Sequence, residues 1–235
     1  MGNVAHAEKG IKQLDVYLAS PRNQMQASHL DGMPVLLSFA VYSPFIDGYQ
    51  PSFKRIMIDS GAFSVFSSGK TVDLNEYADW SERWDGHVEA VAGLDDIAGN
   101  WRLSLKNYEK FPGGFPTFHE TDPPELLDDL VVMAQERNQW LGLGLLPPRE
   151  GKERWVRDTC SRIPDGIHVH GWAMRIYTQV RRIDSVDSTN WFRAPLDILK
   201  NLPWLTYAEA LGLVIKRYER WERKIVDVES HPTLF

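Results

Sequence analysis

The chain has 235 residues, of which 43% are hydrophobic and 25% charged, and its formal net charge is −6. This composition excludes a disordered chain and a coiled coil, and no apolar run approaches the roughly 20 residues of a transmembrane helix. The acidic balance argues against indiscriminate nucleic-acid binding, although it leaves room for a local basic face. We expect a single domain over 1–235. The N-terminus has no apolar signal core, so we expect a cytoplasmic protein without a membrane partner.

Short apolar runs, rich in β-branched or aromatic residues, recur along the chain and predict eight strands. Several of these runs are continuously apolar, which is typical of strands that are covered on both faces. In chain order they span 15–20, 34–43, 55–61, 87–96, 115–120, 140–146, 166–172 and 182–189.

Helix-like segments lie between most of the predicted strands. Two of them open with a capping-box spacing, Asp73 with Glu76 and Thr206 with Glu209. A third has Asp122 as its expected N-cap, followed by prolines that a first turn tolerates. The predicted helices span 73–84, 122–138, 149–163, 171–180 and 206–225.

This alternation of strands and helices predicts a parallel sheet, and eight strands predict a compact (β/α)8 TIM barrel. The alternative is an open doubly wound sheet. That fold usually has a Gly-rich phosphate turn after its first strand, whereas "LGLGLL" at 141–146 has only two glycines and runs into prolines.

Polar residues follow several of the predicted strands, at the end where a parallel barrel places its active site. A single aspartate after a strand is usually a helix N-cap, but carboxylates and imidazoles follow five of the eight strands. This grouping predicts an active site. The residues at these strand ends are Asp59, Asp95, Asp96, His119, Glu120, Gly142, Gly144, His170 and Asp187.

Asp59 and Asp187 are the strongest catalytic candidates in this group. Two carboxylates that face each other can act as nucleophile and as general acid or base, as in the cleavage of glycosidic bonds. Asp184 lies three residues before Asp187 and therefore on the opposite face of its strand. We expect Asp184 to pair with Arg181 or Arg182 on the outside.

A metal site is the alternative interpretation of the same residues. His119, His170, Asp59 and Asp187 could form a mixed nitrogen and oxygen site. His168 and His170 also have the spacing of strand neighbours on one face, as in a His-x-His metal motif. The single cysteine, Cys160, excludes a multi-cysteine zinc site and an internal disulfide, and its helical context predicts a buried side chain.

Four segments, in order, resemble the tRNA-guanine transglycosylase superfamily of (β/α)8 barrels. "IMIDSGAFS" at 56–64 resembles its Asp-Ser-Gly-Gly-Phe-Gln signature, and "RIDSVDST" at 182–189 its nucleophile segment. "VAGLDD" at 91–96 and "WLGLGLL" at 140–146 resemble its base-reading segment and Gly-rich loop. The forms "DSGAFS" and "SVDSTNW" most resemble the short phage-type 7-deazaguanine DNA transglycosylases, which exchange a base in DNA without a cofactor.

The resemblance implies that Asp187 attacks the anomeric carbon of a guanine nucleotide and that Asp59 moves the proton of the leaving or incoming base. It implies base stacking on Phe63 and base recognition by carboxylate, backbone and other polar groups. The implied base-contacting residues are Ser60, Gly61, Phe63, Asp95, Asp96, His119, Gly144, Leu145 and His170.

The chain departs from the tRNA enzymes in two respects. It lacks the cysteines of their zinc-binding insertion, and Ala62 and Ser64 stand where the signature has Gly and Gln. The missing insertion favours DNA over tRNA, with Arg181 and Arg182 as the expected phosphate contacts. A 7-deazapurine base would be the second substrate, and a homodimer or partner DNA-modification proteins are compatible with the sequence.

Three alternatives to a DNA enzyme stay open from the sequence. A tRNA transglycosylase would use the same chemistry on another polymer. A metal-dependent or glycoside hydrolase would use the same strand-end residues differently. A catalytically inactive nucleic-acid-binding barrel is a third alternative, which the presence of both Asp59 and Asp187 disfavours.

Overall fold

The computed structural model describes residues 14–66, 68–145, 151–174 and 182–224, with side chains up to 219. Over these ranges the chain forms eight strands and eight α-helices, and a strand lies within each predicted strand range. None of the described helices is long and apolar enough to cross a membrane. The elements are β1 (Asp15–Ala19), α1 (Gln24–Ser28), β2 (Pro34–Ser38), β3 (Arg55–Asp59), α2 (Ala62–Phe66), α3 (Leu74–Glu82), β4 (Ala90–Val91), α4 (Trp101–Lys110), β5 (Thr117–His119), α5 (Leu126–Glu136), β6 (Leu141–Gly144), α6 (Glu153–Arg162), β7 (Val169–Trp172), β8 (Ser185–Ser188), α7 (Ala194–Asn201) and α8 (Tyr207–Lys224).

The strands form one curled, all-parallel sheet in the order β4-β3-β2-β1-β8-β7-β6-β5. This is the cyclic order of eight consecutive units, interrupted between β4 and β5. One isolated parallel bridge, Ala92 to Phe115, links those two edges. There the N–H of Phe115 donates to the Val91 carbonyl and the N–H of Gly93 donates to the Phe115 carbonyl, both at 2.8 Å. The sheet is therefore barrel-like, and a full ladder is absent between these two described strands.

Successive strand residues point to opposite faces, and this alternation separates two apolar clusters. In β1, Val16 and Leu18 belong to the large cluster that includes buried residues of the surrounding helices, whereas Tyr17 and Ala19 belong to a small cluster on the concave face. All five residues of β2 are buried, which confirms that a continuously apolar run is covered on both faces. The small cluster consists of Tyr17, Ala19, Leu36, Met57, Ala92 and Phe115.

Both predicted capping boxes lie at helix starts. The Asp73 side chain accepts the N–H groups of Asn75 and Glu76 before α3. Thr206 and Glu209 bond reciprocally before α8, with the Thr206 N–H donating to Glu209 at 2.7 Å and the Glu209 N–H donating to Thr206 Oγ1 at 3.2 Å. Each side chain thus satisfies an N–H that the first helical turn leaves unpaired.

The N-cap predicted at Asp122 is wrong. Helix α5 begins only at Leu126, and its N-cap residue, Glu125, makes no side-chain bond to the helix. Prolines at 123 and 124 disfavour helical geometry in the residues before them, so the helix starts after them. Asp122 instead accepts the backbone N–H of His119 at 2.7 Å, which connects it to the end of β5.

The remaining helical predictions differ in outcome. Cys160 is buried in α6, as predicted. Of the helix predicted over 171–180, the first two residues belong to β7, and 175–180 lie outside the described residues. Helices α1, α2, α4 and α7 were not predicted. The first two have five residues each. Helix α4 packs Trp101, Leu105 and Tyr108 against the core at helical spacing, so its periodicity was present in the sequence and was overlooked.

Candidate active site at the carboxyl ends of the strands

Asp59 is the last residue of β3 and lies at the carboxyl end of the parallel sheet. Its Oδ2 accepts the Gly61 N–H at 3.0 Å. Burial raises the pKa of Asp59 to about 7, and the negative charges of Asp95 and Asp187 add to the shift. These three carboxylates therefore lie close enough to interact electrostatically, and Asp59 can hold or release a proton near neutral pH.

The turn after β3 is small because it packs against the end of β2. Gly61 has a φ of +74°, and a Cβ there would lie 2.3 Å from Ser38 Oγ and 2.7 Å from Ala40 Cβ. Ser60 is buried, and its Oγ accepts the Ala62 N–H at 3.2 Å. Ser60 and Gly61, predicted as base contacts, thus shape the turn that holds Asp59. Their side chains are small because the turn packs closely against the end of β2.

Phe63 follows this turn on α2, and 59% of its surface is exposed. More than half of this side chain is thus open to solvent, so its ring is accessible to a planar partner. Phe66 lies one helical turn further on and is also exposed. The position of Phe63, four residues after Asp59, is compatible with the predicted stacking role.

Asp187 lies in β8 at the same end of the sheet, and only 11% of its side chain is exposed. Its Oδ1 accepts the Ala173 N–H at 2.5 Å. Ala173 has a φ of +50°, which is unusual for a residue other than glycine. This strained backbone, directly after β7, directs an N–H at the predicted nucleophile. No sequence signal marks it, because alanine does not favour positive φ.

Asp95 and His119 form a pair beside the two catalytic candidates. Asp95 Oδ2 lies 2.7 Å from His119 Nε2, and both side chains are mostly buried. Burial alone lowers the pKa of His119, but the hydrogen bond and the charge of Asp95 outweigh burial, so the pKa lies above its usual value. His119 therefore contacts the carboxylate that was predicted to read the base, a contact 24 residues apart in sequence.

The other residues of the predicted base site have mixed environments. Asp96 accepts the Asn100 N–H at 2.9 Å and so ties its loop to the start of α4. Gly144 packs against the His119 ring, where a Cβ would lie 2.2 Å from Nδ1. Leu145 is buried behind it. Asp96 therefore has a structural partner within the chain, whereas Gly144 makes room for a site residue.

His170 is fully buried below Asp187 and faces the concave side of the sheet. Its Nδ1 lies 2.8 Å from Ser185 Oγ, and its Nε2 lies 3.7 Å from Asp187 Oδ1. His170 therefore lies beside Asp187 and has no surface exposed at the open end of the sheet. Ser185 was not predicted, although its spacing of two from Asp187 places both on one strand face.

His168 and His170 converge on the same serine. His168 Nε2 lies 2.7 Å from Ser185 Oγ, and the His168 ring stacks on Trp140 with a centroid distance of 3.7 Å. In the described part of the chain, no group of three or more His, Cys, Asp or Glu side chains is arranged to hold a metal ion. The predicted mixed metal site therefore has no counterpart among the described side chains.

Arg182, a predicted phosphate contact, lies at the opposite end of β8 from Asp187. Its guanidinium pairs with Asp184 at 3.1 Å, as predicted for that aspartate, and donates to the carbonyls of Pro164 and Ile167 at 2.6 and 2.7 Å. These bonds hold the guanidinium within the fold. Arg181 lies outside the described residues.

Comparison with known proteins does not assign the chain to a family. No protein-family model matches the chain, and no curated protein matches its sequence.

Proposed function

We propose that this chain is a base-exchanging transglycosylase that replaces guanine in DNA by a 7-deazaguanine base. The observation that carries the proposal is the juxtaposition of Asp59, whose pKa is raised to about 7, with the charge of Asp187. The motif resemblance around both residues supports the same chemistry. The proposed place of action is the cytoplasm, that of a host cell if the chain is phage-encoded.

A complete (β/α)8 barrel belongs to this proposal. The cyclic strand order supports it, as do the two backbone hydrogen bonds that join Val91 and Gly93 to Phe115 at the open seam. Such a barrel collects strand-end residues at one face. Asp59, Asp95, His119 and Asp187 would then surround one substrate.

The first half-reaction begins with the Asp187 carboxylate. One of its oxygens attacks C1′ of the nucleotide, the C1′–N9 bond breaks, and guanine leaves with that electron pair. Protonated Asp59 gives its proton to the departing base, so a neutral guanine and a glycosyl ester of Asp187 result. A carboxyl group with a pKa of about 7 suits this step, because general acids work best when their pKa lies near the working pH.

The second half-reaction reverses the proton movement. Ionised Asp59 accepts the N9 proton of the incoming 7-deazaguanine, whose N9 attacks C1′, and the ester bond to Asp187 breaks. Asp59 ends protonated and Asp187 ends as a carboxylate, so the enzyme returns to its starting state. The Asp95 and His119 pair would accept and donate hydrogen bonds at the edge of the base.

An incorporation assay tests the proposal. The protein is incubated with radiolabelled 7-deazaguanine bases and with guanine-containing duplex DNA, single-stranded DNA or tRNA, and label in the polymer is counted. We expect label in DNA. Label in tRNA alone would overturn the DNA assignment, and no label in any polymer would overturn the base-exchange function.

Variants of the two carboxylates make the assay specific. Asp187→Asn keeps an acceptor for the Ala173 N–H, so it should fold and yet lose incorporation by at least about 1,000-fold. Asp59→Asn should lose about 100- to 10,000-fold, the usual range for a general acid or base. Asp197→Asn removes an exposed carboxylate that pairs with Lys200 and should keep full activity. Full activity in Asp187→Asn would refute the covalent mechanism.

A further inference from the structure

A chain of polar side chains runs from β7 to β8 beneath Asp187. His168 Nε2 lies 2.7 Å from Ser185 Oγ, and Ser185 Oγ lies 2.8 Å from His170 Nδ1. The last contact in this row of polar side chains is between His170 Nε2 and Asp187 Oδ1, which lie 3.7 Å apart. Because His170 and Ser185 are both fully buried, their hydrogen bonds must be made within the protein.

The Nε2 atom of His170, on the side of the ring away from Ser185, is buried without a hydrogen-bond partner. Within the described residues, His170 Nε2 has no hydrogen bond and is shut off from solvent. The charged group it faces is Asp187, and 3.7 Å is about 0.5 to 1 Å longer than an ordinary N–H···O hydrogen bond. A small rotation of the carboxylate would close this gap.

The direction of the hydrogen bonds follows from the charge of Asp187. A neutral imidazole carries its proton on one nitrogen only. If Nδ1 carried the proton, the lone pair of Nε2 would face a carboxylate in a buried site, which is unfavourable. The opposite arrangement satisfies every group: His168 Nε2–H donates to Ser185 Oγ, and the Ser185 hydroxyl donates to His170 Nδ1. His170 Nε2–H then points at Asp187.

We infer that His170 is a positioning residue for the nucleophile and donates its Nε2–H to Asp187 Oδ1. The Ala173 N–H donates to the same oxygen at 2.5 Å, whereas Oδ2 accepts no hydrogen bond from the described residues. Oδ2 is therefore the oxygen that attacks C1′, and Oδ1 is the oxygen that the protein holds. This inference rests on the proposed function for its catalytic meaning.

The role requires no proton transfer through His170. When Oδ2 forms the ester, the C1′–N9 bond breaks and the negative charge passes by way of the departing base to Asp59, which gives up its proton, while His170 keeps its proton on Nε2. When the incoming base displaces the ester, the charge returns to Asp187, and the two donors on Oδ1 stabilise it as it forms. Preorganised donors of this kind act mainly on the chemical step.

Three substitutions separate this role from simple packing. A Gln side chain can place an amide N–H near the position of Nε2, an Asn side chain reaches only the position of Nδ1, and Phe keeps the ring without either nitrogen. We expect His170→Asn and His170→Phe to slow transfer of the sugar from Asp187 to the incoming base by about 10- to 100-fold, the effect of losing a hydrogen bond to a group that becomes charged in that step. The KM for the base should change by less than about twofold, and His170→Gln should recover most of the rate.

Equal rates in His170→Asn and His170→Gln would overturn the inference, as would losses that simply follow the thermal stability of the variants. If wild type incorporates no base while Asp187→Asn also shows none, the proposed function fails. If wild type is active and the three His170 variants have equal rates, the proposed function stands and the positioning role is refuted.

A spectroscopic measurement tests the contact between His170 Nε2–H and Asp187 and does not depend on an activity assay. The nitrogen-15 shifts of His170, assigned by the loss of its signals in His170→Gln, identify which ring nitrogen carries the proton. We expect protonated Nε2 and unprotonated Nδ1 in wild type. Protonation at Nδ1 alone would overturn the inference.

Discussion

The imidazole of His119 lies directly over the backbone of Gly144, and a methyl group on that glycine would come within 2.2 Å of Nδ1. The two residues are register partners on the neighbouring strands β5 and β6. This close approach allows Nε2 of the same ring to reach Asp95 at 2.7 Å. The glycine thus determines where the ring of the paired histidine can lie.

Gly144→Ala should displace His119 from Asp95. The added Cβ is not compatible with the present ring position, and such overpacking costs about 1 to 3 kcal/mol. We expect the affinity for the base to fall at least tenfold while the fold persists, measured by titration calorimetry and circular dichroism. Gly212→Ala is the control, because a Cβ on that helical glycine meets nothing within 4 Å. Unchanged base affinity in Gly144→Ala would refute the role of the pair.

Asp59→Asn should stabilise the protein at alkaline pH. Below the usual Asp pKa of about 4, Asp59 is protonated in both the folded and the unfolded state, so its ionisation has no effect. As pH rises toward 7, the unfolded state loses this proton while the folded state keeps it, because burial raises the folded pKa to about 7. Stability therefore falls over this window and stays low above it.

Asn has no charge to bury, so the variant avoids this loss. Chemical denaturation should show a gain on the order of 1 to 3 kcal/mol in the free energy of unfolding at pH 8 and little change at pH 4. Asp197→Asn, at an exposed position, should show no comparable gain. An equal effect of Asp59→Asn at both pH values would contradict the raised pKa.

Arg182→Ala should act on stability rather than on DNA affinity. The guanidinium holds buried Asp184, which is 3% exposed and also accepts the Val169 N–H at 2.7 Å. Removal of one partner of a buried pair costs about 3 to 5 kcal/mol. Arg154→Ala is the matched control, because Arg154 is almost fully exposed and pairs with Asp158 on the helix surface, where the cost is about 0 to 1 kcal/mol.

The same variant tests the phosphate interpretation of Arg182. A lost phosphate contact would make the salt dependence of DNA binding less steep by about one unit of its logarithmic slope. We expect the slope to stay as it is in wild type. A shallower slope at unchanged stability would favour the phosphate contact instead.

Cys160 should be unreactive in the folded protein. Its thiol is buried in α6, and burial raises its pKa to about 12, so at pH 8 the reactive thiolate is rare. Labelling with iodoacetamide should be at least about 100-fold slower in buffer than in denaturant. Because the chain has one cysteine, mass spectrometry reports this site alone. Equal rates would contradict the burial.

The strands and the strand-end carboxylates could be predicted from the sequence because their signals are local. A short apolar run indicates a buried strand without information from the rest of the chain, and a residue such as Asp59 is recognisable as a polar residue at the end of such a run. Helix α4 has the same kind of local signal, because Trp101, Leu105 and Tyr108 recur at helical spacing and pack against the core; helices α1 and α2, with five residues each, are too short to show one.

Pairings across strands were decided by the tertiary structure alone. The contacts of His119 with Asp95 and of His170 with Ser185 and Asp187 join residues that lie far apart in the chain, and they depend on strand register and curl, which no local pattern encodes. The sequence by itself determined that polar groups stand at the carboxyl ends of parallel strands. Only the fold decided which of them are exposed, which are buried, and that Arg182 bonds within the protein, because burial and partners arise when distant strands are brought side by side.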